Sequence, residues 1–253
     1  MKKQTVSIVL ATYNEEKNLA DCLKSVEDLA DEIIIVDGHS TDSTVAIAKK
    51  FGAKVILAEN NPMFHVNKQK AIDEASKDWV LQLDADERVT PQLADEIRNI
   101  VQKPDAKNGY WISRKNWFLG RFLMKGGVYP DYTLRLYKKG KGRLPQKDVH
   151  EQAVVEGSVG YLHEPLIHMA DPSFTRYLKR FDRYTTFIAH QYEDEKLSKN
   201  PLIMLEYMVG RPLFWFFWTT FRHKAILDGW QGVVFSFFSS LRFAIAYKKY
   251  LSL

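Results

Sequence analysis

Four short apolar runs separated by helix-like stretches constrain this chain more than any other feature. They cover residues 6–11, 33–36, 54–57 and 79–83. Runs that are apolar at consecutive positions suit strands buried on both faces. Between them, Leu19, Leu23 and Val26 recur at helical spacing, and Ser40-Thr41-Asp42-Ser43 offers several N-caps for a helix reaching Phe51. Residues 67–75 read as a further helix, and Pro91 stands as a first-turn proline. Strands alternating with helices predict an α/β fold, a mostly parallel, Rossmann-like sheet flanked by helices.

Ligands of such sheets bind outside the carboxyl ends of the strands. Polar clusters fall there: residues 12–15 after the first run, 37–43 after the second and 84–87 after the fourth. In an extended segment Asp84 and Asp86 point to the same side and converge. Two converging carboxylates repel unless a cation sits between them, and hard oxygen ligands suit Mg²⁺ or Mn²⁺ carrying a phosphorylated ligand. The plainer reading of Asp-x-Asp is a solvated turn after a strand. No Gly-x-Gly-x-x-Gly follows the first run and no P-loop pattern occurs, which argues against a dinucleotide dehydrogenase and a P-loop enzyme. Metal-bridged recognition of a nucleotide diphosphate is the best of these readings.

Composition narrows the class further. Hydrophobic content of 45% and charged content of 26% are those of a globular chain. One cysteine, Cys22, excludes an internal disulfide framework, suits a reducing compartment and reads as buried filler. No signal-peptide h-region is expected at the N-terminus. The net charge of +5 is concentrated beyond residue 200, where six Lys/Arg face two acids and 14 of the 33 aromatic residues lie. A basic excess confined to an aromatic tail gives nucleic-acid binding little support.

Val-Ser-Ile-Val-Leu-Ala-Thr-Tyr-Asn-Glu-Glu (6–16), Ile-Ile-Ile-Val-Asp-Gly-His-Ser-Thr-Asp (33–42) and Leu-Asp-Ala-Asp-Glu (83–87) form three ordered motifs. Together they resemble glycosyltransferase family 2, which has the GT-A fold and uses nucleotide-sugar donors. Val128-Tyr129-Pro130-Asp131, Arg135-Leu136-Tyr137, Val149-His150-Glu151 and Asp228-Gly229-Trp230-Gln231-Gly232 are similar to the bacterial lipopolysaccharide inner-core branch, the WaaE/KdtX type. The resemblance implies that Thr12, Tyr13 and Glu15 line the base and ribose pocket and that Asp37 receives the base imide N–H. It implies that Asp84 contacts the nucleoside side of the donor, that Asp86 binds the metal and that Glu151 is the catalytic base. A carboxylate suits that last task, since it takes a proton from the acceptor hydroxyl as the oxygen attacks the anomeric carbon with inversion. His150 is left between metal ligand, phosphate contact and structural histidine. Lys68 and Lys70 are candidates to reach the diphosphate, against solvated lysines on a helix face. Arg135 is the favoured member of the basic run that continues through Lys138, Lys139, Lys141 and Arg143.

The domain reading is a GT-A nucleotide-sugar-binding and catalytic domain over 1–170, a connecting amphipathic helix over 171–200 and interfacial helices over 201–253. Phe174, Tyr177, Leu178, Phe181, Tyr184, Phe187 and Ile188 form the stripe of the connecting helix, expected to pack on the catalytic domain. Residues 212–221 and 233–247 are apolar and aromatic but short of a membrane span. Extending the first run back to Pro201 would bury Glu206 and Arg211, at about 2.5–3.5 kcal/mol each. Flanking basic residues suit helices lying on an anionic membrane surface, with a homodimer through the same helices as the competing use. Together these imply a peripheral transferase at the cytoplasmic face of the inner membrane, moving a hexose from a UDP-sugar, UDP-glucose by resemblance, to a hydroxyl of a lipid-linked saccharide acceptor. The rivals are a polyprenyl-phosphate sugar transferase and a non-catalytic nucleotide-sugar-binding membrane module.

Overall fold

A computed structural model describes residues 3–61, 63–146 and 152–253. In chain order its elements begin β1 (Val6–Thr12), α1 (Leu19–Lys24), β2 (Glu32–Asp37), α2 (Thr44–Lys50), β3 (Lys54–Leu57), α3 (His65–Asp73), β4 (Trp79–Gln82), β5 (Glu87–Val89) and α4 (Pro91–Val101). They continue with β6 (Gly109–Phe118), β7 (Arg121–Phe122), β8 (Asp131–Lys138), β9 (Gly142–Arg143), β10 (Val154–Val155), β11 (Val159–Tyr161) and β12 (Leu166–Asp171). The remainder is helical: α5 (Phe174–Asp194), α6 (Pro201–Leu205), α7 (Arg211–Phe217) and α8 (Gly229–Leu251). The chain divides into two compact units, one made of residues up to Arg114 with Asp131–His168, the other of Lys115–Pro130 with Met169–Leu253. The 115–130 excursion thus groups with the C-terminal helices.

The first unit is built on a sheet of order β3-β2-β1-β4-β8-β6-β12-β5. β3, β2, β1 and β4 are parallel neighbours, as the apolar runs predict. Period-two alternation explains why β1, β2 and β4 carry apolar residues to both faces. Ile8, Leu10, Ile35 and Leu81 pack in the cluster that holds α1 and α4, while Val9, Ile34, Val36 and Val80 pack in the cluster that holds Ala71 and Ile72 of α3. Beyond β4 the sheet turns antiparallel, through β8 to β6 and again between β12 and β5. The fold is thus an α/β sheet flanked by helices with a C-terminal helical segment; besides the first four runs, β11 joins β6 in parallel.

α4 starts as expected, with Pro91 in its first turn and Thr90 Oγ1 accepting from Leu93 N at 3.1 Å. Cys22 is fully buried and burial pushes its thiol pKa up, so it is packing and not a nucleophile.

In the second unit, α5 packs on α8 through its partly buried line, not as an independent connector. Phe238 of α8 meets the rings of Phe174, Tyr177 and Phe181 at centroid distances of 5.5, 5.4 and 5.4 Å. The buried positions of α5 are Tyr177, Thr185 and Ala189, so Leu178 and Tyr184, expected on the packing stripe, stand exposed. Residues spaced three and four apart carry this contact; Leu178 and Tyr184 do not. α8 begins against the 3₁₀ turn Ala225–Asp228 so closely that a Cβ on Gly232 would lie 1.9 Å from the Ala225 carbonyl oxygen. Gly232→Ala is expected to destabilise the chain by about 3 kcal/mol, seen as a Tm lower by roughly 6–12 °C. A melt unchanged to within a degree would refute that tight approach.

Candidate functional site

The ends of β1 and β2 are laced together. Thr12 Oγ1, at the last position of β1, donates to Asp37 Oδ2 at 2.8 Å. Ser40 adds its backbone N to Asp37 Oδ1 at 2.8 Å and its hydroxyl to Oδ2 at 2.6 Å. Ser40 therefore serves Asp37, while Asp42 Oδ1 takes the Thr44 N of α2 at 3.0 Å. From the other loop, Asn14 N donates to Ser40 Oγ at 2.8 Å and Glu15 N to Thr44 Oγ1 at 2.7 Å. Asn14 adopts a left-handed φ of 54° that turns this loop sharply. Tyr13 is 46% exposed at its crest, and Glu15 Oε2 accepts from Asn18 Nδ2 at 2.7 Å. Asp37 is fully buried beneath these loops.

Asp84 and Asp86 do not lie in an extended segment. Glu87 N donates to the Asp84 carbonyl at 2.9 Å, which closes a reverse turn with Ala85 and Asp86 at its centre. Arg88 ties the turn down by donating Nη1 to the carbonyls of Ala85 (2.8 Å) and Glu87 (2.9 Å). The strand argument for convergence of the two aspartates is thereby corrected: the turn gives each carboxylate its own partners.

Asp84 is held by two cations. Lys68 Nζ of α3 pairs with Oδ1, and Arg135 Nη2 of β8 pairs with Oδ2 at 2.6 Å. Burial opposes ionisation of Asp84, but Arg135 and Lys68 outweigh it and hold the carboxyl well below the usual carboxylate range. Lys68 is buried, so the solvated-lysine reading fails for it; Lys70 is exposed and keeps that reading. Arg135 Nη2 also reaches Glu87 Oε1 at 2.8 Å, and Glu87 Oε2 accepts from Asp84 N at 2.9 Å. Arg114 of β6 adds a contact to Glu87 at 3.5 Å and one to Asp131 at 2.7 Å. Neither Glu87 nor Arg114 had been assigned a role from sequence.

Asp86 faces a histidine that sequence reasoning also missed. His168 Nε2 lies 3.7 Å from Asp86 Oδ1, because the β5–β12 register sets His168 opposite Glu87. Burial, with help from Arg114, keeps the His168 pKa below its ordinary value despite the nearby carboxylates, which favours the neutral, ligand-competent ring. No local spacing could have signalled this pairing; only the sheet brings it about. His150 and Glu151, the ligand and base expected from sequence, lie outside the described residues.

The residues present fit a divalent ion. Among the described residues no group of three His, Cys, Asp or Glu side chains could hold one alone. Ions of the Mg²⁺ class are nevertheless commonly held by one or two side chains, with water and substrate phosphate completing the shell. Asp86 Oδ1 and His168 Nε2, 3.7 Å apart, supply a carboxylate oxygen and an imidazole nitrogen, both donor types that such ions accept. The imidazole nitrogen favours Mn²⁺ over Mg²⁺.

The profile of glycosyl transferase family 2 matches residues 7–166. The chain is 28% identical to the lipopolysaccharide core biosynthesis glycosyltransferase LpsC of Rhizobium meliloti, over 95% of this chain and 92% of that protein. It is 29% identical to an uncharacterized glycosyltransferase of Rickettsia bellii, over 94% of this chain and 85% of the other. The crystal structure of S. aureus TarS 1–349 is similar over 98% of this chain and 88% of that one, at 15% identity and a TM-score of 0.49, too distant to inform the chemistry. The matched span takes in well over half of the chain and contains the three strand-end clusters with Lys68 and Arg135, so the protein belongs to glycosyl transferase family 2, enzymes that transfer sugars.

Proposed function

We propose that the chain is an inverting, divalent-metal-dependent hexosyltransferase that takes a hexose from a UDP-sugar, UDP-glucose by resemblance, to a hydroxyl of a lipid-linked saccharide such as lipopolysaccharide inner core. It works at the cytoplasmic face of the inner membrane. The observation that carries this reading is the 84–87 turn, which sets Asp84 against Lys68 and Arg135 and Asp86 against His168. The core-biosynthesis role named for the Rhizobium relative supports the acceptor class.

In this reading Asp37 accepts the imide N–H of the base once the β1 and β2 loops part, with Tyr13 and Glu15 beside the base and ribose. Lys68 and Arg135 exchange Asp84 for the donor diphosphate, to which Arg135 offers a planar fork and Lys68 a compact charge. Asp86 and His168 would hold the ion, which when bound would offset the charge growing on the departing diphosphate. Glu151, assigned by family resemblance, removes the acceptor proton.

Thermal shift against UDP-, GDP- and dTDP-sugars with Mn²⁺ tests the donor. A UDP-sugar at a hundredfold over its Kd is expected to stabilise by about 2.7 kcal/mol, a rise of roughly 5–10 °C. Glu151→Gln is expected to keep that shift while losing transfer by at least about a hundredfold. Absence of any UDP-sugar shift, or full transfer by Glu151→Gln, would overturn the assignment.

A further inference from the structure

The second unit carries an apolar face that its own fold leaves uncovered. Its helical run over 201–222 contains two π-helical stretches, Glu206–Gly210 and Trp218–Arg222. Leu202, Leu205, Val209, Leu213, Phe217 and Phe221 follow at steps of three and then four residues, and all are exposed. In a straight α-helix a four-residue step overshoots one turn by about 40°, and successive steps would spiral the side chains around the axis. The wider π turns absorb that drift. Past Lys224, whose φ of 58° breaks the helix, Ile226, Leu227 and Trp230 add further exposed apolar surface, the last two at 59% and 60%.

The charge around this tip has one sign. From residue 207 to 253 the only acid is Asp228, which is buried and accepts from the backbone N of Met124 (2.9 Å) and Lys125 (2.7 Å). Lys115–Pro130 contains no acid. Arg121, Lys125, Arg222 and Lys224 are all exposed, and the fold ties them to the tip: Arg121 Nη2 donates to the Leu227 carbonyl at 3.2 Å and Gly126 N to the His223 carbonyl at 2.9 Å.

We propose that Ile226, Leu227 and Trp230, with the Phe217 and Phe221 end of the helical stripe, insert into the headgroup region of an anionic bilayer while Arg121, Lys125, Arg222 and Lys224 bind its phosphates. Among the described residues no helix is long and apolar enough to cross a membrane, which matches a segment lying in the interface. A second copy is the poorer occupant, because two-fold pairing sets this cationic collar against itself, and the exposed acid of the helical run, Glu206, is already paired with Arg211 at 2.7 Å. The inference deepens the membrane part of the function proposed above and needs no sugar chemistry.

The test is flotation of the full chain with phosphatidylcholine vesicles, with and without about one-third phosphatidylglycerol. Leu227→Ser/Trp230→Ser, both at exposed sites, is expected to weaken partitioning at least about tenfold. Arg222→Glu/Lys224→Glu is expected to weaken binding to anionic vesicles by about a hundredfold, and Lys49→Glu/Lys50→Glu on α2 to leave it unchanged. Wild-type binding by the first two variants, or no binding by the wild type, overturns the proposal. So does light scattering that finds a dimer which Leu227→Ser/Trp230→Ser makes monomeric. Donor thermal shifts on the same samples separate the two readings: vesicle binding without donor binding sinks the transferase assignment and leaves this one standing.

Discussion

Arg135→Met is expected to destabilise the protein by about 3–5 kcal/mol, lowering Tm by roughly 6–20 °C. Arg135 lies buried between Asp84 and Glu87, at 2.6 and 2.8 Å. Burial opposes its charge, but the two carboxylates more than compensate and hold its pKa above the ordinary arginine value. Methionine fills much of the space and removes the charge, leaving Glu87 fully buried with Arg114 at 3.5 Å as its remaining cation. Glu87→Gln in the same background is expected to restore part of the loss, since the amide is neutral and still accepts from Asp84 N. That double variant keeps the test open should Arg135→Met alone fail to fold. The pH dependence has a definite sign. Because the folded carboxyl of Asp84 is depressed, its ion pairs contribute stability that is fully present above the unfolded carboxylate pKa of about 3.9 and is lost as pH falls through the folded value. Wild-type melts should therefore drop steeply below about pH 4, and Arg135→Met should lose part of that slope. A loss of under about 1 kcal/mol at neutral pH would show the triad to be dispensable.

Asp86→Ala is expected to lower transfer by about 10³-fold or more, near 4 kcal/mol of transition-state stabilisation, with little change in Tm. The contrast with Arg135 follows from position. Asp86 lies 3.7 Å from His168, whereas Arg135 pairs with Asp84 at 2.6 Å and with the fully buried Glu87 at 2.8 Å. His168→Ala should weaken the site as well, and Mn²⁺ titration followed by electron paramagnetic resonance reads both variants without relying on turnover. Undiminished Mn²⁺ affinity in Asp86→Ala would remove Asp86 from the metal, and undiminished transfer would remove it from the reaction.

Legibility in the sequence tracked how each element is buried. β1, β2 and β4 carry apolar side chains to both faces, so their runs announced themselves and placed the polar clusters at the right strand ends. β5 is Glu-Arg-Val and β12 is Leu-Ile-His-Met-Ala-Asp, short and mixed in polarity, with nothing periodic to read. The site divides the same way. Asp37, Asp84 and Asp86 were visible as strand-end acids, and Lys68 and Arg135 as nearby cations. Glu87, Arg114 and His168 acquire their roles from strand pairing between residues distant in sequence. The 84–87 turn was misjudged because its closing bond is made by Glu87 N, and a backbone donor leaves no mark on composition.

The β5–β12 ladder has a further consequence. β5 is the last strand of its sheet and only three residues long, held by its pairing with residues 166–168 of β12. Short edge pairings of this kind fray first. Asp86 immediately precedes β5 and His168 belongs to β12, so fraying of this edge would part the two side chains, and an ion held between them would favour the paired edge. Ion occupancy and order at this sheet margin then rise together as one linked equilibrium.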